Sequence, residues 1–292
     1  MNKTEIIVRV KNKKQLEGVL EFSGISSLIL GFGCAAVHID ELKRKYPEKR
    51  FFLQMPDVLR EKRADSVKKL AERALLFDGI VICSFDELGL LNEVKEEVIN
   101  RGENLPSEEE WQVIGDSFLY AYNTQAVSFY KSFYPDMKFL LSDELTDKEI
   151  QSFMDSASEQ GFAPLADFIY KVYGYQPLMI TNQCLNRNYT NCEQPLLRFS
   201  DEKKNQFYIT SECGQCYDIV YNGQPTIMLD KTEFRDQGFL VEGQMYSKIL
   251  LDFTIESADM IRRILKGFLD KERPEDYLPG KLTRGHHYKV TE

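Results

Sequence analysis

Four of the chain's six cysteines lie in two short stretches, and their spacing is typical of metal sites. Cys184 and Cys192 occur in "QCLNRNYTNC", and Cys213 and Cys216 occur in "ECGQC". The full spacing is C-x7-C-x20-C-x2-C. Two residues between the last pair let both thiolates face one metal ion, and the upstream pair completes a four-thiolate set. Such a set suits tetrahedral zinc or an iron–sulfur cluster.

The spacing alone leaves zinc, a cluster and incidental buried thiols as alternatives. Zinc ribbons pair two C-x-x-C units, whereas the first pair here is separated by seven residues, which favours the larger cluster. Disulfides are disfavoured, because the start "MNKTEIIVRVKNKK" has no signal-peptide core and no cleavage site. We therefore expect a cytoplasmic protein. The most apolar window, "SSLILGFGCAAV", is too short to span a bilayer, so no membrane association is expected.

The other cysteines and the three histidines are weaker candidates. Cys34 follows a predicted strand, and a helix would bring His38, four residues on, to the same side. Packing near the core competes with this Cys–His pair, and packing is also our interpretation of Cys83 inside an apolar strand. His286 and His287 lie in a segment that is either an exposed tail or a cover over the site. The sequence contains no H-E-x-x-H or G-x-S-x-G motif to support a zincin or serine-hydrolase mechanism.

The overall charge limits the classes of partner. The 292 residues carry a formal net charge of −9. Binding of nucleic acid through bulk electrostatics needs an excess of Lys and Arg, so the charge argues against that mode of binding and leaves a local basic groove as an alternative.

Short apolar runs alternate with amphipathic ones over the first 180 residues, which predicts a parallel sheet with helices outside. Eight strands are expected, at residues 5–10, 26–32, 50–56, 79–84, within 111–123, 138–145, 166–174 and 176–181. Eight such strands favour a (β/α)8 TIM-like barrel, irregular where it closes because no helix fits between the last two. An open doubly wound sheet is the alternative, but neither G-x-G-x-x-G after the first strand nor a P-loop motif supports a nucleotide site.

The expected domain boundary separates this barrel from the cysteines. We place the TIM-like barrel in residues 1–182 and a cysteine-bearing α+β region in residues 183–292, with a strongly amphipathic helix at 254–271. That helix serves either core packing or docking. Cys184 follows the last predicted strand, so a metal would lie over the barrel mouth, where barrels place their chemistry.

Four segments in a set order carry a family resemblance. They are "GDSFLYAYNTQAVSFY", "LLSDELTDKEI", "YGYQPLMITNQC" and "SECGQCYDIVYNGQPTIMLD". Over most of the chain they resemble the collagenase-like "U-thirty-two" peptidase family. The resemblance implies a barrel-like α/β catalytic region. It also implies a [4Fe–4S] cluster ligated by Cys184, Cys192, Cys213 and Cys216, with zinc as the alternative left by spacing.

The function implied by the resemblance is redox chemistry. The family is named for peptidase activity of unknown catalytic type, but several members resemble iron–sulfur proteins needed for oxygen-independent hydroxylation of RNA bases or of a ubiquinone precursor. We therefore expect an enzyme acting on an RNA base or a small aromatic compound. A collagenase-like peptidase and a zinc-bearing non-catalytic subunit are the alternatives. Larger members carry a similar half behind a first barrel, so the implied partner is a paralogous subunit or a preceding barrel.

Overall fold

The computed structural model describes residues 4–34, 37–55, 63–104, 107, 110–181, 207–210, 216–220, 226–234 and 246–278. Within these residues the strands are β1 Glu5–Asn12, β2 Ser27–Gly33, β3 Arg50–Gln54, β4 Gly79–Ile82, β5 Gln112–Gly115, β6 Lys138–Leu140, β7 Phe168–Thr181, β8 Phe207–Thr210, β9 Cys216–Val220, β10 Thr226–Phe234 and β11 Lys248–Asp252. The helices are α1 Lys13–Glu17, α2 Ile39–Lys45, α3 Arg63–Ala74, α4 Phe85–Asn100, α5 Thr124–Lys131, α6 Asp147–Glu159, α7 Pro164–Asp167, α8 Ala258–Leu269 and α9 Pro274–Tyr277.

Eight of these strands close a parallel barrel. Strands β1 to β7 pair in sequence order, and β11 pairs in parallel with both β7 and β1. Helices lie between successive strands from β1 to β7, and α8 follows β11, as in a (β/α)8 TIM barrel. The predicted fold class is therefore confirmed, and the open-sheet alternative is wrong because β11 leaves no free edge between β1 and β7.

The predicted seventh and eighth strands, 166–174 and 176–181, are one strand. β7 pairs with β11 as far as Gly174, and the same strand continues to Thr181 in an irregular antiparallel pairing with β10. A β-carbon at Gly174 would lie 2.9 Å from the Asp252 carbonyl oxygen, so this glycine permits a close approach of two backbones rather than a turn. The eighth barrel strand is β11, so the boundary predicted at residue 182 does not separate the barrel from the rest.

Strands β8, β9 and β10 extend the sheet beyond the barrel. β10 pairs antiparallel with the outer half of β7, β9 pairs with β10, and β8 pairs with β9. The chain from 182 to 247 is thus an insertion between the seventh and eighth barrel strands, and these three short strands belong to it.

Apolar side chains fill both faces of the barrel wall. Because parallel strands in such folds are buried on both sides, they consist of near-continuous apolar residues. One cluster lies between strands and helices, and it includes Ile261, Ile264 and Leu265 of α8. The amphipathic helix predicted at 254–271 therefore packs in the core. No helix among the described residues is long and apolar enough to cross a membrane.

Candidate functional site

The predicted thiolate set falls mainly outside the described residues. Cys184, Cys192 and Cys213 lie there, as do His286 and His287. Cys216 is the first residue of β9, and its backbone is in register with Thr210 of β8. Among the residues that the structure describes, no group of three or more His, Cys, Asp or Glu side chains could hold a metal ion.

The chain leaves the barrel along β7 before it reaches the segment that carries Cys184. β7 is paired with β11 only as far as Gly174, and seven residues follow it to the strand end at Thr181. At about 3.3 Å per residue, this stretch is about 23 Å of extended chain. The extended sheet of β7, β10, β9 and β8 therefore connects the mouth to the segment that carries Cys184.

The barrel interior contains one layer of apolar side chains and one layer of mainly polar side chains. One side chain from each of the eight strands forms an inner apolar layer: Ile7, Ile29, Phe52, Val81, Ile114, Leu140, Ile169 and Leu250. Two residues further toward the carboxyl end of each strand, where side chains return to the same face, the residue types change. This inner polar layer consists of Arg9, Gly31, Gln54, Cys83, Asp116, Ser142, Lys171 and Asp252, all buried.

In the inner polar layer, the inward and outward alternation of side chains continues one or two residues past the ends of some strands. Asp116 donates its backbone N–H to the Ile82 carbonyl oxygen at 2.8 Å, and Leu141 donates to Ile169 at 2.9 Å. The sheet ladder thus continues far enough to orient these positions. The layer lies at the barrel mouth, which is the end where barrel enzymes carry their catalytic groups.

Arg9 bridges two carboxylates in the inner polar layer. Its Nη2 lies 2.5 Å from Asp116 Oδ2, and its Nη1 lies 3.3 Å from Asp252 Oδ2. Burial alone would lower the pKa of the guanidinium, but the charges of Asp116 and Asp252 outweigh it and raise the pKa. Arg9 is therefore a permanent buried cation.

Three further polar contacts involve residues of the layer. The Lys171 ammonium donates to the carboxylate of Asp143, which follows β6. On the opposite side, Gln54 Nε2 donates to Cys83 Sγ, and the Cys83 backbone N–H donates to Glu87 at 2.6 Å. Cys83 is a buried core residue, as predicted. It belongs to neither apolar cluster, because strand alternation places it in the inner polar layer beside Gln54.

Glu256 lies just beyond the layer, in the connection from β11 to α8. Tyr173 donates its hydroxyl to Oε1 at 2.7 Å, and the backbone N–H groups of Thr254 and Ile255 donate to Oε2 at 2.7 and 3.0 Å. Burial raises the pKa of this carboxyl, and the nearby charge of Asp252 adds to the rise, although the hydrogen bonds oppose it. Glu256 thus keeps its proton to a higher pH than an exposed glutamate does.

The Cys34–His38 pair does not form a reactive site. Cys34 packs in the outer apolar cluster, and burial raises the pKa of its thiol to about 12, although Lys11 acts in the opposite direction. His38 is exposed at the start of α2. Cys34 is thus a core residue, in agreement with the packing alternative.

The sequence contains a signal for the inner polar layer that is separate from the cysteine motifs. Apolar runs are followed by a single polar residue at the same inward position, as in "EIIVR", "FFLQ", "FIYK" and "ILLD". Only the closed barrel shows that the polar residues at the ends of these segments lie in one layer.

Comparisons with known proteins give a distant structural likeness. No family model and no curated protein matches the sequence. Among solved structures, the chain is similar to an alanine racemase of Clostridium difficile 630, with 10% sequence identity and a TM-score of 0.34, over 88% of this chain and 93% of that chain. At this level of similarity the likeness carries no argument about function.

Proposed function

We propose that the chain is an iron–sulfur enzyme or enzyme subunit that supports oxygen-independent hydroxylation, or a related redox modification, of an RNA base or an aromatic compound. The ligands of the iron–sulfur cluster would be Cys184, Cys192, Cys213 and Cys216. The observation that carries the proposal is that all four thiols belong to one insertion, residues 182–247, between the seventh and eighth barrel strands. Connections that follow barrel strands are the usual carriers of chemistry in this fold.

The position of the C-x-x-C pair supports metal binding. β8 and β9 are antiparallel, with Thr210 opposite Cys216, and Cys213 falls between them in sequence. The two residues between Cys213 and Cys216 are the usual spacing of a chelating pair. Four cysteines are the usual donor set of a [4Fe–4S] cluster, so the chemistry of these donors fits the group.

The side chains of the inner polar layer would bind a polar substrate at the barrel mouth. A bound [4Fe–4S] cluster supplies one-electron redox chemistry. Arg9, held by Asp116 and Asp252, supplies a fixed hydrogen-bond donor at the mouth. Glu256, whose pKa is raised by burial and by the charge of Asp252, supplies a proton donor in the connection that follows β11.

Metal analysis of the anaerobically purified full chain tests the cluster. We expect about four iron and four sulfide per chain, as in a [4Fe–4S] cluster, with visible absorbance that bleaches on reduction. Cys213→Ala and Cys216→Ala should lose the iron. Cys34→Ala is the matched control, because it removes a buried thiol that is outside the proposed set. An active protein that is colourless and free of iron would rule the cluster out.

The alternatives predict different results in the same preparation. Stoichiometric zinc, with activity only in a complex, would favour the non-catalytic subunit. Cleavage of a denatured collagen-like substrate that survives chelation would favour the peptidase. Mass spectrometry of nucleosides and quinone precursors from anaerobic cells, with and without the gene, tests the substrate: a hydroxylated species should disappear from the deletion strain.

A further inference from the structure

We propose that the inner polar layer is a binding site for a small primary amine that also carries a neutral oxygen acceptor, such as an amino alcohol. Binding here does not require the cluster, because the layer contains none of the four proposed cluster cysteines. We thereby assign a ligand to side chains inside the barrel, which the proposed function does not include.

Three buried atoms of the layer indicate the ligand. Arg9 Nε, Gln54 Oε1 and Asp252 Oδ1 have no hydrogen-bond partner among the described residues. Their residues are only 5%, 4% and 8% exposed. An unpaired buried polar atom costs free energy, and native proteins leave few of them. Three such atoms in one layer at the barrel mouth therefore point to a bound group that satisfies them.

The balance of donors and acceptors sets the chemistry of that group. Gln54 Oε1 and Asp252 Oδ1 are acceptors, so the ligand must donate to two atoms. Arg9 Nε–H is a donor, so the ligand must also accept once. An ammonium group has three N–H donors, and a hydroxyl oxygen on the next carbon accepts the remaining hydrogen bond.

The charge of the site favours a cation. Arg9 and Lys171 face the carboxylates of Asp116, Asp143 and Asp252, so these five buried groups carry a formal net charge of −1. An ammonium ion neutralises this excess, whereas a carboxylate ligand would increase it. The neutral oxygen acceptor follows from the same argument, because a second anionic oxygen would meet three buried carboxylates.

Gly31 is the layer residue between the two strands that carry Arg9 and Gln54, and it has no side chain. It lies on β2, between β1 with Arg9 and β3 with Gln54. A β-carbon added there would have Val10 and Lys11 as its nearest neighbours, at 3.2 Å and beyond, and neither Arg9 nor Gln54 among them. The position thus contributes no side chain where the ligand would have to contact both residues.

Saturation-transfer NMR on the full chain tests the site with four matched probes. They are ethanolamine, ethylamine without the oxygen, ethylene glycol without the ammonium, and propionate as the anion. We expect ethanolamine to bind most tightly, ethylamine more weakly, and the other two not at all. This comparison of the four probes uses the wild-type chain alone. No binding of any probe, or equal binding of all four, would overturn the site.

Variants then locate the binding. Asp252→Asn and Gln54→Leu should weaken ethanolamine binding at least about tenfold, equal to about 1.4 kcal/mol. Asp259→Asn is the control, since it removes a carboxylate that is exposed on α8. Undiminished binding in both layer variants would refute the assignment, and so would a crystal structure in which water or residues 182–245 satisfy the three atoms. Cys213→Ala should retain ethanolamine binding, so failure of the cluster and failure of this site are distinguishable.

Discussion

Arg9 in β1 and Asp116 at the end of β5 meet across the barrel interior. The two strands are four positions apart around the closed sheet in either direction, and they share no backbone hydrogen bond. The ion pair joins Nη2 and Oδ2 at 2.5 Å, with side chains 6% and 1% exposed. It therefore ties opposite walls of the barrel together through a single buried contact.

Removal of either partner should destabilise the fold. Arg9→Met leaves Asp116 and Asp252 as buried carboxylates without their cation, and we expect a loss of about 3–5 kcal/mol in the free energy of unfolding. Asp116→Leu should cost less, because Arg9 keeps its contact with Asp252. Urea denaturation measures both. The double variant should lose less than the sum of the single losses, and strict additivity would show that the two residues do not interact.

Asp167 should make stability depend on acid pH. It accepts from Lys138 at 2.9 Å and pairs with Lys131 at 3.0 Å. Burial alone would raise the pKa of the carboxyl, but the two lysines outweigh it and lower the pKa. A depressed pKa in the folded state contributes stability above the unfolded value of about 4, and this contribution is lost as the pH falls through the folded pKa.

The measurement for Asp167 compares unfolding free energies of the wild type and Asp167→Asn across acid pH. The difference should be largest above about pH 5 and should shrink as the pH falls below about 4. Asp259→Asn, which changes an exposed carboxylate, should leave the pH slope unchanged. A constant difference across this range would contradict the pKa shift.

Gly79→Ala should disturb the barrel wall. A β-carbon at Gly79 would lie 2.1 Å from the Gln112 carbonyl oxygen of the neighbouring strand, which cannot move without breaking the pairing of β4 and β5. We expect a loss of about 3 kcal/mol or more from overpacking. Gly102→Ala is the control: nothing lies within 4 Å there, so only its left-handed backbone, with φ +75°, costs about 1 kcal/mol. Equal losses in thermal or urea unfolding would argue against the clash.

Cys34 should be inert in the native protein. The thiol is 3% exposed, and burial raises its pKa to about 12. The thiolate is the reactive form, so iodoacetamide at about pH 8 should leave Cys34 unmodified. Peptide mass spectrometry reads out the modification, and protein unfolded in guanidinium serves as the positive control. Rapid labelling of native Cys34 would show that the site opens.

Several local features were predictable from short segments. The apolar runs at 26–32, 50–56 and 79–84 match β2, β3 and β4 closely. Thr146 and Glu149, three residues apart in the sequence, form a reciprocal cap of α6, with the Thr146 N–H 2.8 Å from the Glu149 carboxylate. Such features depend on residues within one turn or one strand, so local composition and periodicity determine them.

The sequence by itself determined the alternation of strand and helix, the caps, and the four-thiolate spacing. Only the tertiary structure decided that β11 closes the barrel and that β7 continues past Gly174 to pair with β10. It also decided that Arg9 meets Asp116, 107 residues away. Strand pairing and barrel closure join distant segments, whereas periodicity records only which face of its own element a residue occupies.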